Sequence, residues 1–213
     1  MPDLAHQPFN LGETLRGTDD DSNLINAEIL GQIHFFYSNV RGAADNRGNK
    51  TRRVGKKIKA IALRNLSGIT LYGKRVALLK TAAGYNLITA VDGYCAILGN
   101  KNVVIIDEFL SVSGVAANDI FWGILEGPVI VLTPVLTGDD FNGAITAGAQ
   151  IVGATAVTTQ ATSSGRVSNI TVATAHATNA FTLATNMIGV ALSTRTTGET
   201  NNVDLLINAC IRM

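Results

Sequence analysis

Charge is what this sequence has least of. Only 15% of its 213 residues are Asp, Glu, Lys or Arg, where an ordinary soluble domain carries about 25%. A surface so poor in charge is expected to be covered by a partner or by further copies of the chain, or to be built from small residues such as Ala, Thr and Gly. Cysteine is nearly absent. Cys95 and Cys210 cannot by themselves close a structural zinc site, which takes about four ligands, and both lie in apolar runs, where buried thiols are expected rather than a disulfide. The three histidines, His6, His34 and His176, stand far apart and in no metal-ligand spacing. No Gly-x-Ser-x-Gly elbow is present. GNKTRR at Gly48–Arg53 departs from a phosphate loop, because Asn49 separates the glycine from Lys50 and no helix is expected after it. These absences point away from an enzyme, a metal site and a bound cofactor. No uninterrupted apolar run approaches the ~20 residues needed to cross a bilayer, so no membrane partner is expected. The start, MPDLAHQPFNLGETLRG, lacks a basic-then-apolar signal, so synthesis in a cytoplasm is the expectation.

What charge there is falls into blocks. Residues 1–40 set Arg16 against six acids, a balance of −5, and include the run Asp19-Asp20-Asp21. Residues 41–80 hold 12 of the 17 Lys and Arg against Asp45 alone, a balance of +11, and the remainder returns to −5. Segregation on this scale predicts surfaces with different tasks. The densest part, Arg47, Lys50, Arg52, Arg53, Lys56, Lys57 and Lys59, is the candidate partner-binding site. Clustered Lys and Arg can neutralise phosphates and release counterions, yet no aromatics that could stack on bases are interleaved with them. Docking onto an acidic protein surface, including another copy's Asp19–Asp21, is therefore favoured over nucleic acid.

A chain of this length can hide about 70% of the surface that it exposes when unfolded. Residues 1–30 lack a sustained period, though a short helix is expected from Asp21 or Ser22 through LINAEILGQI. His34–Tyr37 is a strand candidate, and the polar stretch that follows is a long loop or arm. From Ile58 onward short strands recur between turn residues, at Ile58–Arg64, Arg75–Leu79, Leu87–Val91, Val103–Ile106, Ile120–Leu125 and Val129–Leu132. The last two, broken at Gly127-Pro128, are expected to form the central hairpin, with Trp122 in the core rather than on a sugar-binding platform. ATAVTTQ and Ile170–Thr174 suit edge strands. Met187–Leu192 and Val203–Ile211 are expected to return to the core. The pairs Asp107-Glu108 and Asp139-Asp140 are expected in solvated turns, since neighbouring acids on a strand point to opposite faces. The fold class is thus all-β, a barrel or jelly-roll-like sandwich of short antiparallel strands with an extended N-terminal arm. The expected division is an arm at 1–53, carrying the acidic segment and the basic loop, and a β-domain at 54–213, with a compositional break near 136.

Three stretches taken in order carry a resemblance. They are LGQIHFFYSNV with the basic loop and KIKAIALRNLSGITLYGKRVALLK, then VDGYCAILG with IIDEFLSVSGVAANDIFWGILEGPVIVLTP, and lastly the Thr/Ala/Gly-rich tail ending in MIGVALSTRTTGETNNVDLLINACIRM. Together they resemble the capsid decoration, or cement, proteins of tailed bacteriophages. The resemblance covers nearly the whole chain, by texture and without a diagnostic signature. It implies a virion structural protein on the capsid exterior, commonly a homotrimer, that binds the major capsid protein and strengthens the shell against DNA pressure. The alternatives are another virion component, such as a tail, connector or head-fibre base, or a nucleic-acid-binding protein using 41–80.

Overall fold

Branched residues dominate the apolar runs of this chain, and in a computed structural model they form a sheet. The structure describes residues 9–37, 57–80, 89–95, 102–133, 144–154, 165–169, 187–196 and 203–211. Among these the fold is all-β, with one 3₁₀ turn at Ala27–Ile29 and ten strands. The strands are β1 (Ile33–Tyr37), β2 (Lys57–Asn65), β3 (Val76–Leu79), β4 (Ala90–Tyr94), β5 (Val103–Ile106), β6 (Ile120–Thr133), β7 (Gln150–Ala154), β8 (Arg166–Asn169), β9 (Gly189–Ala191) and β10 (Val203–Cys210).

Five of these strands close a ring in which β2, β4, β3, β5 and β6 pair in turn and β6 pairs back to β2. Only β2 with β4 is parallel. Period-two alternation aims Ile61, Leu63, Ala77, Leu79, Val104, Ile106, Phe121 and Leu125 into one buried cluster. The opposite faces of β5 and β6 send Val103, Ile105 and Ile124 into a second core. Gly123 marks the tightest point of the ring, where an added Cβ would lie 2.8 Å from Leu63 Cδ1 and closer still to a Val104 methyl.

The central hairpin expected at Gly127-Pro128 is not formed. Ile120–Leu125 and Val129–Leu132 are one continuous strand, β6. Pairing with β2 ends at Glu126, and β10 pairs along Glu126–Thr133. The proline therefore sits where the β2 side has been released, a place at which a sheet tolerates a residue without an N–H. Gly127, at φ 107°, passes so close to β2 that a Cβ would lie 2.5 Å from the Lys57 carbonyl oxygen. Past this point Val129 and Val131 line the second core with Ile151, Val167, Leu205 and Ile207. The return of the C-terminal strand is borne out, since β10 lies between β6 and β9. Its alternation buries Leu205, Ile207 and Ala209 and exposes Cys210. Of the two thiols expected to be buried, only Cys95 is.

The expected helix near Asp21 is also absent. Ser22 and Asn26 take left-handed backbone angles, φ 65° and 55°, and the Asp19 carboxylate accepts the N–H groups of Asp21 and Asn23. An Asp side chain that caps nearby backbone in this way competes with helix formation. The segment from Phe9 lies over the outer face of β2 and β6 instead. Leu15 exchanges both backbone hydrogen bonds with Ile120, at 2.9 and 2.8 Å. Trp122 Nε1 donates to the Phe9 carbonyl at 2.7 Å, and the two rings stack at 4.7 Å. Trp122 is fully buried, as expected of a core residue, and offers no sugar platform.

The solvated turn expected at Asp107-Glu108 is a correction too, because both acids are buried. Asp107 accepts N–H groups from Gly12 at 2.5 Å and Phe109 at 3.0 Å, pinning the N-terminal segment to the end of β5. Burial outweighs those two donors and lifts its pKa to about 6, with neighbouring Glu108 adding to the rise. Asp139-Asp140, ATAVTTQ beyond Ala154 and Ile170–Thr174 lie outside the described residues.

Two expectations follow. Gly123→Ala overpacks the ring and should lower stability by about 1–3 kcal/mol in chemical denaturation. For Asp107 the folded pKa lies above the ordinary 3.8, so the ionised carboxylate opposes folding. That opposition is absent below about pH 4, grows through pH 6 and amounts to about 3 kcal/mol above it. Asp107→Asn should therefore remove part of the fall in stability between pH 4 and 7, and an unchanged slope would show that Asp107 does not titrate there.

Candidate partner-binding surface

The basic cluster enters the described structure at its last two members. Lys57 and Lys59 open β2, with Ile58 between them anchored in the second core. Alternation then turns both lysines to the opposite face, Lys57 exposed and Lys59 half-buried. Arg47, Lys50, Arg52, Arg53 and Lys56 lie outside the described residues.

Strand β1 supplies what the basic run lacks. It pairs antiparallel to β2 with Phe35 opposite Lys59 and Ile33 opposite Ile61, and directly opposed residues share a face. Lys57 Nζ stands 3.6 Å from the centroid of the Phe35 ring, a cation over an aromatic face. Phe35 and Ile33 are exposed, while His34 and Phe36 turn the other way and pack around Trp122. On the far side of β2, Glu126 is exposed and opposite Lys59. The surface is thus a strip of two cations, an aromatic ring, an aliphatic side chain and one acid, held on paired strands.

Phe35, Ile33 and Glu126 were not singled out in the sequence. The alternation of His34–Tyr37 was a usable signal, but it needed the β1–β2 register to place Phe35 beside a lysine more than twenty residues away. Three other pairs of described charges neutralise one another. Lys74 pairs with Asp204 at 2.7 Å and Lys80 with Asp92 at 3.3 Å, and Arg16 pairs with Asp20. Among the described residues no group of three or more His, Cys, Asp or Glu could hold a metal ion, and no helix is long and apolar enough to cross a membrane. No family model, curated protein or solved structure matches the chain.

A double-mutant cycle on Lys57→Ala and Phe35→Ala, read by chemical denaturation, should give a coupling of about 0.5–1 kcal/mol for an exposed cation and ring. A coupling of zero would mean that the lysine stands free of the ring in solution.

Proposed function

We propose that this chain is a virion structural protein that binds the outer surface of an icosahedral phage capsid, bridges subunits of the major capsid protein and stabilises the shell as a homo-oligomer, with a trimer favoured. The observation that carries the reading is the placement of charge. Residues 41–56, of balance +5, lead into β2, where Ile58 is locked into the core between Lys57 and Lys59. A basic arm rooted in a rigid sheet can lie across a neighbouring acidic surface while the barrel stays outside it. Each attached copy then raises the free energy needed to separate the subunits that it bridges, and a symmetric oligomer multiplies weak individual contacts. The low charge content and the resemblance of the three sequence stretches support the same reading.

Nucleic acid is the second reading, favoured by Phe35 beside Lys57 and Lys59, since single strands are held by cations and aromatic rings together. Titration with single-stranded and duplex DNA at two salt concentrations separates the two. Tight binding with a steep salt slope would put nucleic acid first.

The primary test is the copy number of this chain in purified particles, measured by quantitative mass spectrometry against the major capsid protein. A ratio near that of the shell protein is expected. A handful of copies would make it a tail or connector component, and absence from particles would end the virion reading. Arg52→Ala combined with Arg53→Ala should weaken attachment to particles and reduce its salt dependence. Unchanged binding and an unchanged salt response would remove the arm from the attachment.

A further inference from the structure

Residues 9–30 cross the outer face of β2 and β6 as a strap, and their attachments are of two kinds. Some are indifferent to acid. Phe9 stacks on Trp122, Leu15 pairs with Ile120, and Arg64 Nη2 donates to the Gly17 carbonyl at 3.3 Å. The others are ring carboxylates that accept N–H groups from the strap, Asp107 that of Gly12 and half-buried Asp119 that of Gly17. The strap backbone roofs Asp107. Gly12 N lies 2.5 Å from Asp107 Oδ2, and so close to the next turn that an added Cβ would lie 3.0 Å from the Phe109 carbonyl oxygen.

Burial raises the pKa of both acids, that of Asp107 to about 6, although the strap N–H groups favour the ions. Glu108 adds to the rise at Asp107, and Arg16 opposes the rise at Asp119. Gly73, on the loop before β3, packs against the Asp107 carbonyl, and its neighbour Lys74 is turned to Asp204. On the strap itself Glu13 accepts from Asn10, Arg16 pairs with Asp20, and Asp19 accepts from Asn23.

We propose that residues 9–30 form a proton-controlled strap, latched onto the ring while Asp107 is protonated and released more readily once that carboxylate ionises. Lifting the strap takes Gly12 off Asp107 and admits water, so the ion costs less in the released form than in the docked one. Docking therefore takes up a proton. It is strongest below about pH 4, weakens through pH 6 and levels off above it. With the released carboxyl at its ordinary 3.8, the opening constant rises at most about a hundredfold across that window. Asp119 acts in the same direction. Release uncovers Ala60, Ala62, Ile120 and Trp122. Strand β1 stays paired with β2 beyond Gly31, whose φ of 77° suits a hinge. The switch is thus local, closed in acid and loosened at neutral pH, whatever the protein binds.

The test is native-state hydrogen exchange of the full chain by NMR from pH 4 to 7, corrected for the intrinsic exchange rate. The Leu15 amide, which donates to the Ile120 carbonyl, reports the strap, and the Ile106 amide, which donates to the Arg75 carbonyl, reports the core. Leu15 should open far more often than Ile106 at every pH, and its opening constant should rise at least tenfold over the range. Asp107→Asn keeps an acceptor for Gly12 and should remove most of that rise. Carboxyl NMR of the wild type, which needs no variant to fold, should place the Asp107 midpoint near pH 6. Any of four results overturns the inference: a Leu15 opening constant that is flat with pH, exchange of Leu15 only together with Ile106, a full rise in folded Asp107→Asn, or an Asp107 midpoint at its ordinary value.

Discussion

Strand β6 runs through both halves of one ten-stranded sheet, and its change of partner at Glu126 is the constraint around which the rest is arranged. Before that residue it closes the five-stranded ring against β2, and beyond it β10 pairs along the rest of the strand. A continuous strand can serve both only if it bends without breaking. Gly127 permits the close pass over Lys57, and Pro128 lies just past the β2 pairing. Had the chain turned there, Val129 and Val131 would have folded back over Phe121 and Leu125, and the second core would have lost its inner wall.

The N-terminal segment depends on the same strand from outside. Ile120 and Trp122 present the face that β6 does not use for the ring, and Phe9 covers it with a stacked ring and a buried hydrogen bond. Asp107 adds a second tether through Gly12. Because that carboxylate is buried, its grip carries a penalty near neutral pH, which the surrounding packing offsets.

Much of the sheet was legible in the residues. Val103–Ile106 is branched throughout and became β5 without change, and the strand candidates at His34, Ile58 and Arg75 lie within two residues of β1, β2 and β3. The expected hairpin failed because Gly-Pro suits a turn and a released strand edge equally well, and only β10, some eighty residues later, decides between them. The helix failed because Asp19 prefers its own local backbone bonds, which no apolar period reveals. Burial of Asp107 was hidden because its partner, Gly12, is 95 positions away. At the candidate site Lys57 and Lys59 were visible as charges, but Phe35 became part of the surface only through cross-strand register.

Pairing of β10 with β6 has a bearing on synthesis. The ring can close once Ile120–Glu126 has left the ribosome, yet one wall of the second core stays open until Val203–Cys210 has also emerged. During that interval the released edge of β6 is an apolar strand seeking a partner, and a neighbouring nascent chain can supply one. Crowded expression therefore favours strand exchange between chains at this edge.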